Sequence, residues 1–400
     1  MLAHSPPLPL TIFYHEDDRK TTEEYEEGIL LALRHSDRVH YISLHLPPPE
    51  MRKIITAMDE QFPILERLYI LSQTEGDESL VLPRTFQAPH LHHLWLWGAV
   101  LPIESPLLTI TVGLVSLRLG NIPPSAYFHP TYLLTQLSLV PQLEILEIQF
   151  RSPLPNRDVE RQLLATPIMP RITLPNLRRF LFGGVTAYLE GLVTQISVPV
   201  LSDLQMMLFN QLTFPIPHLL QFMDTSETLS FSTVQLTFWD NLIGLRATQV
   251  GESAGRGYNF GMGIWCGHLD WQVSSVAQIL DTLQPALSVV ETLTLNSGHI
   301  MANLSSEWFN EVDRTQWRQL LRSFSNLKTL RVENELIGKL APSLLTDDGD
   351  PPSELLPNLK EVQYSGGDDA RDVFTPFIDE RQVAGHPVNL TMVDQSELWP

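Results

Sequence analysis

The feature that most limits how this chain can fold is a frame that recurs along its length. FPILERLYI, APHLHHLWL, VPQLEILEI, LPNLRRFLF, VPVLSDLQM and LPNLKEVQY all follow P-x-L-x-x-L-x-L. With Val, Ile, Phe, Met or Tyr admitted for Leu, eleven rungs emerge. Their first apolar residues are Val39, Leu65, Leu91, Leu114, Leu143, Leu177, Leu201, Phe231, Val290, Leu327 and Leu359. Neighbouring rungs lie 23 to 37 residues apart, except for one gap of 59 between Phe231 and Val290 that has room for a further rung. Self-similarity at such a period marks a stacked-repeat architecture.

Each part of the frame has a physical job. The closing L-x-L alternates with period 2, so both apolar side chains point to one face of a short strand. Proline stands two residues before the first apolar position in six of the eleven rungs. It lacks a backbone donor and holds its predecessor extended, so it ends the preceding segment and starts the strand. Amphipathic stretches fill the intervals: residues 23–35, 49–60, 156–166, 273–283 and 308–324 read as helices. The reading is α/β: a leucine-rich-repeat solenoid over 1–400 as one irregular domain, with parallel strands on the concave face and helices on the convex face. Residues 241–265 read as a glycine-rich insertion or an irregular repeat. A doubly wound sheet would bury both strand faces and favour continuous apolar runs. Here Ser43, Arg118, Glu147, Gln205, Thr294, Arg331 and Gln363 interrupt the apolar pairs, so one face is wet.

Charge narrows the partners. Lys and Arg number 26 against 46 Asp and Glu, a net charge of −20. Nucleic acid and anionic membranes both call for clustered positive charge, so neither is expected. Cys266 is the single cysteine, which rules out an intramolecular disulfide and suits a reducing compartment. The opening MLAHSPPLPLTIFYHEDD lacks a basic n-region and a long apolar core, and no apolar run reaches the ~18 residues of a membrane span. The sequons at Asn303 and Asn389 are read as chance matches. The expected location is intracellular, cytoplasmic or nuclear.

The search for chemistry yields weak motifs. GESAG at 251–255 has the G-x-S-x-G form of a nucleophile elbow, which makes a serine hydrolase using Ser253 the alternative reading. LIGLRATQV suits the strand before it, but Gly257, Gly261 and Gly263 oppose the helix that must follow. Cys266, His268 and Asp270 alternate in WCGHLDW, as three residues on one strand face would, yet no second ligand cluster accompanies them. The acidic strings EGDES and DDGDPPSE lack the ligand spacing of a calcium loop. The expectation is a chain that is not an enzyme and uses no cofactor or metal.

Recognition then falls to the side chains between and beside each L-x-L pair. In the early rungs these include Tyr41-Ser43-His45, Arg67-Tyr69-Leu71, His93-Trp95-Trp97 and Ser116-Arg118-Gly120. Aromatic residues and arginine dominate interface hot spots, so Arg67, Tyr69, His93, Trp95, Trp97 and Arg118 are the candidate partner-binding residues. Arg67, Arg118 and Arg179 form a basic line suited to an acidic peptide. His90 and His92 precede the strand, which separates them from His93 as a ligand set.

The order of irregular repeats, with PLTIFY, TFQAPHL, NIPPSAYFHP and FNQLTFPIPHLLQFM, resembles the repeat region of the fungal class of F-box/leucine-rich-repeat proteins over nearly the whole chain. The resemblance implies a substrate-recruiting arm whose partner is a protein held on the concave face. In that class an F-box helix bundle docks on the adaptor of a cullin-based ubiquitin ligase. No L-P-x-E-[IL]-[IL] helix start precedes the repeats here, so adaptor docking is expected only if an F-box lies upstream. The chain also departs from the consensus repeat in lacking Asn or Cys three residues after the last apolar position, where Pro47, Ala99, Ile122 and Arg151 stand instead.

Overall fold

The computed structural model describes residues 8–15, 23–72, 80–102, 105–151, 171–211, 213–224, 231–248, 259–298, 313–345, 355–366 and 368–394. Its contacts divide the chain into two compact units, Met1–Ser202 and Asp203–Pro400. The first unit contains β1 (Leu10–His15), β2 (Val39–His45), β3 (Arg67–Leu71), β4 (Leu80–Val81), β5 (His93–Trp97), β6 (Ala99–Val100), β7 (Ser116–Ile122), β8 (Ile145–Phe150), β9 (Ile172–Thr173), β10 (Arg179–Gly184) and β11 (Ile196–Ser197). Its main sheet runs β1-β2-β3-β5-β7-β8-β10, parallel throughout. The two-residue strands pair separately, β4 with β6 and β9 with β11.

The second unit contains β12 (Asp203–Leu208), β13 (Thr233–Trp239), β14 (Leu242–Thr248), β15 (Phe260–Trp265), β16 (Thr292–Ser297), β17 (Thr329–Glu333), β18 (Glu361–Ser365) and β19 (Asn389–Met392). The order is β12-β15-β14-β13-β16-β17-β18-β19. Two pairings are antiparallel, β13 with β14 and β14 with β15. The 59-residue gap is therefore filled by more than one rung. β13 turns back through Asp240 and Asn241 into β14, and β15 then returns to pair in parallel with β12. Strands occupy 242–248 and 260–265 within the glycine-rich stretch, while GESAG lies outside the described residues.

All eleven rungs of the frame carry a strand of the main sheets, and β1, β14, β15 and β19 add four that the frame does not mark. The period-2 expectation holds within them. In β5 the burial alternates: Leu94 and Leu96 are buried, while His93, Trp95 and Trp97 are partly exposed. Helices cover the apolar side where their own periodicity allows. Pro48–Ala57 opens on two prolines, which suit the first turn because its N–H groups have no partner inside the helix. It buries Met51, Ile54 and Ile55, the i, i+3, i+4 stripe of a core-facing helix. The stretch read as 273–283 lengthens to Leu269–Leu287, and 308–324 contains the helix Arg314–Arg322. The stretch 156–166 lies outside the described residues.

The proline of the frame does more than end a helix. In ten rungs the first apolar N–H donates to the carbonyl three residues earlier, as in Leu65 to Phe62, Leu91 to Ala88, Leu143 to Val140, Leu177 to Leu174, Leu201 to Val198 and Leu359 to Leu356, at 3.1–3.3 Å. In six of these rungs proline occupies the second position of that four-residue turn, where its fixed φ is already correct. A side-chain ladder supports some of these turns. Asn176 Nδ2 donates to Pro141 O at 3.2 Å, Asn358 Nδ2 to Ser325 O at 3.0 Å, and Asn326 Nδ2 to Ser288 O. Each asparagine sits just before its first apolar residue and reaches the matching turn of the preceding rung. Rungs lacking the consensus Asn after the strand thus have, in three cases, an Asn before it.

Among the described residues no helix is long and apolar enough to cross a membrane. The fold makes a direct stability prediction. Leu96 is 0% exposed, so Leu96→Ala should lower unfolding free energy by about 2–5 kcal/mol. Glu66→Ala, at an exposed site one residue before β3, should change it by less than about 0.5 kcal/mol. Urea denaturation midpoints of the two variants measure the difference.

Candidate functional site

The six candidate residues lie on three adjacent strands of the first unit, on the side away from the buried Leu and Ile rows. Parallel register places Arg67 beside His93, Tyr69 beside Trp95, and Leu71 beside Trp97. It then places His93 beside Ser116, Trp95 beside Arg118, and Trp97 beside Gly120. The sheet therefore assembles in space what the sequence scatters over 52 positions, from 67 to 118. His90 and His92 are exposed and precede β5.

Rings and charges link up across this face. Tyr41 and Tyr69 meet edge to face at 5.7 Å between centroids, and Tyr69 meets Trp95 at 6.1 Å. The Arg118 guanidinium lies over the Trp95 ring, 5.5 Å from its centroid. On its far side Arg118 Nε stands 3.9 Å from Glu147 Oε2, and Gln149 Nε2 donates to Glu147 Oε1 at 2.5 Å. Aromatic pairs contribute about 0.5–1.5 kcal/mol each and an exposed cation–π contact about 0.5–1 kcal/mol. Those sums are small beside the core, where a single buried Leu contributes roughly 1.5–3 kcal/mol. The chain of contacts thus fixes side-chain orientation more than it stabilises the fold.

Several outward residues are nevertheless buried, because large neighbours lie over small ones. Trp97 covers Gly120, where a Cβ would collide with the indole. Gln149 crosses Gly183, with its Cγ 3.2 Å from the place of a Cβ. The second unit repeats the device, with Gln205 over Gly261, Met207 over Gly263, and Trp239 over both Gly244 and Gly298. Trp97 is thereby part cover and part surface. These glycine seats were not among the sequence candidates. The signal available was a small residue at an outward position of one rung beside a Trp, Gln or Met in the next.

Arg67 and Arg179 share one row, through His93, Ser116 and Ile145, while Arg118 belongs to the next row. The expected basic line is a zigzag. Its potential is felt by His93, whose imidazole pKa is lowered from 6.5 by burial and then by Arg67, His92 and Arg118, against a smaller opposing pull from Glu144.

The other motifs resolve as follows. Cys266, His268 and Asp270 share no strand face: β15 ends at Trp265, His268 caps the next helix, and Asp270 lies in that helix's first turn. Cys266 is buried, and desolvation pushes its thiol up to about 12, which leaves it protonated and unreactive at neutral pH. Among the described residues no group of three or more His, Cys, Asp or Glu is placed to hold a metal ion. Ser253, EGDES and DDGDPPSE lie outside the described residues.

No protein-family model matches the sequence, and no curated protein matches it. Among solved structures the chain is similar to the leucine-rich repeat-containing protein LegL7 from Legionella pneumophila, at 11% identity over 74% of this chain and 97% of that one, with a TM-score of 0.21. An overlap so slight carries no argument, and the repeat stands on its own strands and turns.

A titration checks the electrostatics. The His93 imidazole should titrate below 6.5 by NMR, and Arg67→Ala should move it upward by removing the second-largest cause of the shift. The fold disfavours the charged ring, so the unfolded chain binds that proton more readily. The His93 contribution to stability should therefore be whole above pH 6.5 and decline as pH falls through the lower folded value. A His93 resonance titrating at or above 6.5 would contradict the arrangement.

Proposed function

We propose that the chain is a non-enzymatic protein-recognition module whose binding surface is the open face around Arg67, Tyr69, His93, Trp95, Trp97 and Arg118. The observation that carries this reading is the continuous ladder Tyr41–Tyr69–Trp95–Arg118–Glu147 across neighbouring strands. Aromatic and arginine side chains held in place before binding lose little conformational freedom when a partner arrives, which favours affinity. Parallel strands also present their side chains at fixed spacing, as an extended partner surface requires.

The finer part of the proposal comes from the resemblance of the repeat order to fungal F-box/leucine-rich-repeat proteins. The module then acts as the concave-faced, substrate-recruiting arm of a cullin-based ubiquitin ligase, inside the cell, with adaptor docking only if an F-box lies upstream. Repeat arms that present one face to a substrate and leave the chemistry to the ligase need no catalytic residue of their own.

A pull-down with wild type beside Trp95→Ala/Trp97→Ala tests the first part. The variant should lose its specific partners while keeping its circular-dichroism spectrum, because both tryptophans point away from the buried rows. Partners retained at wild-type level would remove this face from the function. For the second part, the natural full-length product should co-precipitate a cullin-ligase adaptor, and failure to do so would sink the ligase assignment alone.

A further inference from the structure

We infer that the open face of the unit Met1–Ser202 receives an extended acidic segment of its protein partner, with carboxylates taken up at Arg67 and Arg118. This rests on the recognition reading above and names the chemistry of the partner.

The charge distribution carries the inference. Over the whole chain acidic residues outnumber basic ones 46 to 26. Outward positions of the first unit's main sheet invert that balance, with Arg67, Arg118 and Arg179 against Glu147 alone. The corresponding positions of the second unit do not: Asp203, Glu333 and Glu361 stand against Arg246 and Arg331. A cationic patch attracts an anionic segment locally, while the net charge of −20 opposes association between whole copies of the chain. The His93 pKa is lowered first by burial and then by Arg67, His92 and Arg118, in keeping with positive charge on both sides of the ring.

Geometry sets the form of the partner. Arg67 on β3 and Arg118 on β7 are two strands apart and two residues offset along the strands, which is about 12 Å at ~4.8 Å per strand and ~3.3 Å per residue. An extended peptide rises ~3.3 Å per residue, so carboxylates about three residues apart reach both guanidinium groups. Beside that path lie the Tyr69 and Trp95 rings, in the row of Arg118, which suit an apolar or aromatic residue of the same segment.

Glu147 gives the inference its sharpest consequence. Its carboxylate already stands 3.9 Å from Arg118, where an incoming carboxylate would compete with it. Gln149 donates to Glu147 and holds it in that position. Glu147 therefore acts as an internal mimic of the ligand, so that weakly acidic segments are rejected and strongly acidic ones displace it.

Fluorescence anisotropy of the full chain tests this with a labelled (Glu-Tyr-Gly)n peptide of about twelve residues, long enough to span the first unit's arginines. The same peptide with Gln or Lys in place of Glu serves as control. The Glu peptide should bind on the order of tenfold tighter than the Gln peptide, and more weakly as salt is raised. Arg67→Ala and Arg118→Ala should each weaken it by roughly tenfold, whereas Glu147→Gln should tighten it severalfold. Arg331→Ala in the second unit should leave it unchanged, and circular dichroism confirms that each variant folds. Equal affinity for the Glu and Gln peptides, or weaker binding by Glu147→Gln, overturns the inference. So does displacement of the Glu peptide by an equal charge of single-stranded RNA, which would make the patch a general anion site. If the acidic preference is missing while Trp95→Ala/Trp97→Ala still loses its partners, the recognition reading stands and only this inference falls. If neither effect is found, both fall.

Discussion

A parallel strand can satisfy its backbone only through neighbours that begin at the same height, and here a single turn sets that height. Its hydrogen bond runs from the first apolar N–H back three residues, and it recurs in ten rungs. In six of them proline supplies the dihedral angle, and in all of them the closing apolar residue enters the core. From that turn the strand runs in register with its predecessor, and the inter-strand bonding begins just before the strand proper, as in His92 N to Glu66 O and Lys360 N to Lys328 O. Every outward side chain inherits its neighbours from this alignment. A slip of one residue would exchange the buried and exposed sets entirely.

The alignment also explains why the open face is not simply solvent-exposed. Side chains on neighbouring strands are about 5 Å apart, closer than two indole rings can stand side by side without one leaning. The face accommodates Trp97 and Trp239 by placing glycine next to each of them. It accommodates Trp95 by sandwiching it between Tyr69 and Arg118. Large residues are held rigid, small ones disappear beneath them, and the arginines remain to carry the charge. Rigidity of this kind lowers the entropy lost on binding, which connects the packing of the face to its proposed role.

Much of the fold could be read from the P-x-L-x-x-L-x-L frame because turn, strand and buried row are all local consequences of residue type. All eleven rungs became strands. The missed elements have specific causes. β15 lies where glycine at outward positions breaks the apolar pattern, and glycine in a strand ordinarily reads as loop, whereas β14 falls within LIGLRATQV, which the sequence marks as a strand outside the frame. β1 and β19 have Pro9 and Pro387 where the frame requires its first apolar residue. Cys266, His268 and Asp270 shared an alternating pattern, but β15 stops at Trp265 and a helix begins at Leu269, which destroys the common face.

The candidate site divides in the same way. Sequence alone determined which residues of each rung point outward, since period-2 alternation leaves a strand residue only two directions, and so it singled out Arg67, Tyr69, His93, Trp95, Trp97 and Arg118. It did not determine who touches whom. That Arg118 lies on Trp95 and faces Glu147, that Trp97 rests on Gly120, and that Arg67 and Arg118 make a zigzag rather than a line follow from the lateral register of strands 23 to 34 residues apart in the chain. Lateral register depends on where each turn closes against the previous rung, a relation between distant segments that no local pattern contains. Residue type chose the face, and tertiary packing chose the neighbours on it.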